Sequence, residues 1–252
     1  VFYKYDENRN YLGTPLSGWA NYKVITNPLI PLAGYAVNCG PLLVANTIDI
    51  TGVVNNGSVS IPVSNHHQIY TLGFNLVGNP YPSPVDWNLP GWTKNNVENG
   101  IYLFSATDQW GGTYSSWVNG ISTNGATSII ASMQGFFVHV SEGNGIDVVS
   151  GTLAMDNSVR IIDQTSPFAK SLYSGKSLSK STVPLLRLVA GFSGDTTSFD
   201  PFVLYFDDKA TNDFDGQLDA LKMFNTDSKV PNLYALSSNG FNLSIYALPN
   251  TS

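Results

Sequence analysis

The stretch GFNLVGNPYPSPVDW, residues 73–87, sets an apolar, strand-forming run against three prolines, Pro80, Pro82 and Pro84. Proline has no amide hydrogen for a sheet ladder, and it pushes the residue before it into extended backbone. The ladder is therefore expected to stop near Gly78, with Asn79, Tyr81 and Ser83 held extended and Tyr81 and Trp87 folding back as apolar plugs. Gln134 and Gly135, ahead of Phe136 and Phe137, mark a strand packed against this corner, where Gly135 allows close backbone approach. The competing reading is a rigid loop that presents Tyr81, Asp86 and Trp87 to a ligand.

Outward from the corner the chain reads as strands. GYAVNC, NTIDITGVV, GSVSIPVS, YTLGFNLVG, GIYLFSA, TYSSWVNG, SIIASMQGFFVHV and IDVVSGTL follow one another, each bounded by Gly, Asn or Pro. In DITGVVNNGSVSIPV two such arms flank NNG, which suits the positive φ angles of a tight hairpin. Val59, Ile61 and Val63 alternate with small or polar residues, so one face is expected to be buried, and Pro62 places this strand at an edge or bulge. DGQLDALKMF, Asp215 to Phe224, is the best helix candidate, or else a loop with apolar anchors. Residues 156–182 are rich in Ser and Lys and lack periodicity, which marks a boundary. The expected class is all-β: two jelly-roll-like β-sandwich domains in tandem, over residues 1–158 and 183–252, joined by a linker at 159–182.

Composition narrows the function. Charged residues are 12% of the 252, about half the usual share, so the surface must be built from Asn, Ser, Thr, Gly and Tyr. A net charge of −6 with only 12 Lys and Arg excludes a phosphate-tracking nucleic-acid surface. No apolar run approaches the roughly 18 residues needed to cross a bilayer. The opening VFYKYDENRNYLG has neither an initiator Met nor a signal peptide, and the chain is expected to be a segment of something longer, its second domain cut short at the C-terminus. The single cysteine, Cys39, rules out an internal disulfide and reads as a small buried residue.

Sites are harder to find. His66 and His67 are adjacent, so on a strand they would point to opposite faces, and neither has a second His at a metal-ligand spacing. His139, inside FFVHV, reads as a half-buried strand residue with a hydrogen-bond partner. Asp86, Glu98, Asp108, Glu142 and Asp147 supply carboxylates, but no spacing marks two of them as a catalytic pair. No phosphate loop, dinucleotide fingerprint or nucleophile elbow is present, and no enzymatic activity is expected. Asp207, Asp208, Asp213, Asp215 and Asp219 are a candidate calcium set. An EF-hand register built on Asp213, Asp215 and Gly216 fails, however, because Thr211 and Lys222 would fill its first and twelfth positions. Tyr81, Asp86, Trp87, Trp92, Trp110 and Trp117 are candidate ligand-binding residues, either as stacking platforms for a glycan or as core.

ITGVVNNGSVSIPV, GFNLVGNPYPSPVDW, GIYLF and MQGFFVHV, in that order, resemble a module of secreted and cell-surface proteins of Bacteroidetes that carry a type IX secretion sorting domain at their C-terminus. FDPFVLYFDDKATNDFDGQLDALKMF followed by LYALSSNGFNLSIYALP resembles the segment that precedes such a domain. The resemblance implies a secreted or outer-surface, β-rich protein that serves adhesion, binding or spacing, with a surface ligand or glycan as partner. It also implies contact with the secretion machinery through a sorting domain that this chain lacks. The alternative is a carbohydrate-binding accessory region of a larger secreted glycoside hydrolase.

Overall fold

The structure, a computed structural model, describes residues 1–10, 18–22, 26–40, 47–162, 183–195 and 198–250. It is all-β, made of separate, mostly antiparallel sheets with none closed into a barrel, in keeping with a β-sandwich. Two compact units divide the chain, and the division is not sequential. Residues 1–98 and 129–168 form the first unit, and residues 99–128 and 169–252 the second. A single boundary near residue 160 was expected. Instead the segment 99–128 joins the C-terminal unit, because its side chains find their partners there. Of the expected linker, residues 163–182 lie outside the described residues.

In the first unit, β1 (Phe2–Tyr5) pairs with β2 (Trp19–Asn21) and β3 (Tyr35–Val37). A second sheet has the order β4 (Val59–Asn65), β13 (Val149–Met155), β7 (Trp92–Asn95). β5 (Phe74–Gly78) runs antiparallel to β12 (Gly135–Val140), with Gly135 opposite Gly78 and His139 opposite Phe74. A short pair, β6 (Val85–Asp86) and β11 (Ile129–Ile130), and a 3-10 turn at Asn157–Val159 complete it. Phe136 and Phe137, consecutive on β12, point to opposite faces. Phe137 meets Tyr5 and Trp19, at centroid distances of 5.1 and 6.3 Å. Phe136 meets Trp87 and Trp92 at 5.8 and 6.5 Å. Both faces of the β5–β12 pair are therefore aromatic, and Phe136, Val138 and Val140 are buried together with Trp87 and Ile130. Full burial of side chains this size contributes about 1.5–3 kcal/mol each.

Pro62 sits where proline is tolerated, on the edge strand β4, and the alternation there exposes Ser60 and Pro62 while Val63 is buried. The expected hairpin around Asn55-Asn56-Gly57 does not form. Residues 47–58 contain no strand, and Val53 and Val54 face solvent. Instead this segment straps the proline corner. Asn55 donates to the Pro80 carbonyl at 3.1 Å, and the Gly57 carbonyl accepts the Tyr81 hydroxyl at 2.5 Å.

In the second unit, β8 (Val97–Ala106, whose first two residues belong to the first unit) runs into β9 (Gly112–Val118) and β10 (Ile121–Ser122) as a meander. The other sheet has the order β14 (Leu185–Gly191), β15 (Phe199–Phe206), β18 (Asn242–Leu248), β16 (Ala220–Leu221). In it β15 and β18 are parallel, and β17 (Ala235–Leu236) also pairs with β18. Tyr102, Val203, Leu243 and Ile245 are buried here. The Leu221 amide donates to the Tyr102 hydroxyl at 2.9 Å, and Ser116 and Ser244 share a hydrogen bond at 2.9 Å. The candidate helix at Asp215–Phe224 is absent. A turn at Asp215, closed by the Leu218 and Asp219 amides donating to its carbonyl, leads into β16.

Candidate functional site

The proline corner is held by Asn79. Its side-chain amide donates to the carbonyls of Ser83 and Ala131 at 2.9 and 3.0 Å, and its Oδ1 accepts the Tyr81 amide at 3.0 Å. The Asn79 backbone amide donates to the Gln134 carbonyl at 3.0 Å, which docks β12 against the corner as the sequence suggested. Close backbone approach occurs at another glycine. A Cβ on Gly135 would make only ordinary contacts, whereas one on Gly34 would lie 2.6 Å from the Val77 carbonyl.

Tyr81 and Trp87 are fully buried, and Trp92 and Trp117 nearly so. The Arg160 guanidinium lies 5.2 Å from the Tyr81 ring, and Lys94 Nζ lies 3.9 Å from that of Trp87. Burial lowers the pKa of Lys94 to about 8, while the aromatic face beneath it favours the cation. Asp86 caps its own turn, its Oδ1 accepting the Asn88 amide at 3.0 Å and its carbonyl the Trp92 indole N–H at 2.9 Å. These rings offer no face on which a sugar could stack. Of the aromatic candidates only Trp110 is displayed, 69% exposed at the β8–β9 turn, where Asp108 accepts the Trp110 amide at 2.7 Å.

Four of the five aspartates proposed for calcium accept hydrogen bonds from the chain itself. Asp207 and Asp215 each accept the amide two residues ahead, at 2.9 Å in both cases. Asp219 is buried and accepts the amides of Ala247 and Asp215 at 2.7 and 2.8 Å, and Asp208 accepts the Asn250 side chain at 2.7 Å. Asp213 lies in the turn where its amide donates to Thr211 Oγ1. Among the described residues no three His, Cys, Asp or Glu side chains gather as a metal-ligand set. Cys39, expected to be buried, is exposed.

The chain has three histidines and three glutamates, and they pair with one another. His66 Nδ1 lies 2.6 Å from Glu7 Oε2, and buried Glu7 also accepts the His66 amide at 2.9 Å. His139 lies between two carboxylates, with Glu98 Oε2 at 2.7 Å from Nδ1 and Glu142 Oε1 at 3.3 Å from Nε2. It is fully buried where half-burial was expected. Glu142 Oε2 lies 3.1 Å from His67 Nδ1, and His67 Nε2 lies 2.9 Å from the Asp147 carbonyl. Buried Asn65 supports the chain of contacts, donating to Glu142 Oε1 at 3.3 Å and the Val140 carbonyl at 3.1 Å, and accepting the His67 amide at 2.9 Å.

The local backbone explains the placement. β4 ends at Asn65, and His67 adopts a φ of +53°, so the two adjacent histidines diverge to different carboxylates. Burial alone would lower the His139 pKa, but the two carboxylates reverse this and raise it to about 9. Burial likewise raises that of Glu142, and His139, Asn65 and His67 together bring it below the ordinary carboxylate range. The three histidines, Glu98 and Glu142 were visible as candidates, but Glu7, Asn65 and the pairing were not. The only sequence signal was the i, i+3 spacing of His139 and Glu142. The cluster can store charge, positive on its imidazoles and negative on its carboxylates.

A family model described as a domain of unknown function (DUF8693) matches residues 1–247, and the chain belongs to that family. Comparison with curated proteins and with solved structures finds no match.

Proposed function

We propose that this chain is a non-catalytic module of an exported bacterial surface protein of the kind found in Bacteroidetes and sent out by type IX secretion, serving adhesion or acting as a spacer. The observation that carries this reading is the fate of the proline corner: Tyr81 and Trp87 are enclosed beneath it, and Asp86 caps its own turn. A loop built to bind or transform a ligand leaves such groups reachable. The sequence resemblance adds the export route and a secreted or outer-surface location. Among the described residues no helix is long and apolar enough to cross a membrane. The test is the purified chain on a glycan array and against a panel of chromogenic glycosides. A spacer gives neither saturable binding nor turnover. Hydrolysis that disappears in Asp86→Asn or Glu98→Gln overturns the reading.

A second reading, a carbohydrate-binding accessory region of a larger secreted hydrolase, is favoured by Trp110 alone, whose ring is displayed on a turn that Asp108 caps. Under it, the array shows glycan binding that Trp110→Ala removes.

A further inference from the structure

The His139 ring, in the first unit, is 0% exposed and has a carboxylate oxygen beside each nitrogen. A neutral imidazole has one N–H and one lone pair. Its single N–H can stand beside Glu98 or beside Glu142, and its other nitrogen then carries a lone pair near a second anionic oxygen. Only an imidazolium sets positive charge and a proton beside both oxygens. The three groups come from different parts of the fold. Glu98 stands at the start of β8, Glu142 in the turn after β12, and His67, on Glu142 Oε2, in the turn after β4.

We infer that His139 is held as an imidazolium in the native protein, a buried structural cation that clasps the turns after β4 and β12 to the start of β8, and that loss of its proton unclasps them. The ring has few other neighbours of consequence to its charge. From β5 it meets the apolar ring of Phe74 at 5.1 Å. Asn65, at the end of β4, is neutral. His67 reaches it only through Glu142, and the Asp147 carboxylate is turned to Asn144 at 2.7 Å. The Glu7–His66 pair is a separate couple. Deprotonation would leave two carboxylates against a neutral ring with one N–H between them. The partner with access to water is Glu142, whose side chain is 29% exposed against 7% for Glu98. The clasp therefore opens at the Glu142 end, where Asn65 and His67 also let go. The pKa of about 9 puts that opening on the alkaline side of neutrality. The device needs no metal and no disulfide, and the chain has only one cysteine.

The test uses the full chain with 15N-labelled histidine, followed by long-range proton–nitrogen correlation from about pH 5 to about pH 11. Both ring nitrogens of His139 are expected to carry protons at neutral pH and to titrate together near pH 9. Over the same range, amide protection in residues 66–73 and 141–148 falls at least tenfold after correction for the intrinsic exchange rate. A neutral tautomer at neutral pH, with the missing proton on Glu98, overturns the inference, as does loop exchange indifferent to the His139 titration. Glu142→Gln removes the half-exposed carboxylate and leaves the buried pair in place, so it retains the fold. In that variant the His139 titration moves toward the ordinary histidine range by a unit or more and the two loops exchange fast at every pH. An unmoved titration overturns the clasp.

Discussion

His139 Nδ1 lies 2.7 Å from Glu98 Oε2 with both side chains shut away from water, their side-chain exposures being 0% and 7%. Removing one member of a buried ion pair strands the other charge, which costs about 3–5 kcal/mol. Glu98→Gln is expected to lose stability in this range. Glu142→Gln, at a carboxylate that water reaches, loses about 1–2 kcal/mol. Urea unfolding measures both, and equal losses would contradict the asymmetry in burial.

The dependence of stability on pH has two limbs. The folded pKa of His139 is raised from 6.5 to about 9, so its contribution is complete below about 6.5 and disappears as pH rises through about 9. Glu142 is lowered from 4.5, so its contribution is present above 4.5 and lost as pH falls through its lower folded value. Thermal melting should thus be highest between about pH 4.5 and 6.5. Lys94, lowered by burial to about 8, titrates with the opposite sign in an overlapping range. The difference between wild type and His139→Gln isolates the histidine. A difference that grows from pH 6.5 to 9 would contradict the assignment.

Asn79 ties the proline corner to the strands on either side of it through its side-chain amide and its Oδ1. Asn79→Ala leaves buried carbonyls unsatisfied at about 1–3 kcal/mol each. Trp87→Ala opens a cavity between Trp92 and Phe136 and costs about 3–5 kcal/mol. Denaturant midpoints are expected to fall in both with little change in slope. A Trp87→Ala loss below about 1 kcal/mol would mean that the ring is not core.

In the second unit, Lys222 Nζ lies 2.5 Å from Asp200 Oδ2, both buried. Burial depresses the lysine pKa and the aspartate beside it opposes the shift. Lys222→Met alone should cost about 3–5 kcal/mol, while Lys222→Met with Asp200→Leu recovers much of the loss. Recovery is bounded because Asp200 Oδ2 also accepts the Leu233 amide. Chemical denaturation of the two singles and the double closes the cycle.

Trp110 stands outside all of this packing. Trp110→Ala is expected to shift stability by no more than about 0.5 kcal/mol, while the quenchable fraction of tryptophan fluorescence drops sharply. A large destabilisation would show that the ring packs against something.

Strand identity was legible wherever a strong local signal acted alone. Val59, Ile61 and Val63 alternate over a real edge strand, and Pro62 marks that edge. The same logic failed at NTIDITGVV. Its β-forming residues are present, but residues 47–54 form no strand, and the residues that follow, Asn55 and Gly57, are held on the corner by the Pro80 carbonyl and the Tyr81 hydroxyl. The candidate stacking residues fared the same way. An aromatic side chain that stacks on a sugar and one that fills a core look alike in sequence, and Trp110 and Trp87 differ only in what surrounds them.

By itself, the amino-acid order determined the class of the fold and the position of its stiff corner. Both follow from short-range causes: a two-residue side-chain period, the missing amide of proline and the backbone freedom of glycine. Only the tertiary structure decided that residues 99–128 belong with the C-terminal half, and that each glutamate would find a histidine. Those outcomes depend on which side chains are excluded from water together. A charge has no preferred partner along an extended chain, and acquires one only where burial makes an unpaired charge too costly to keep.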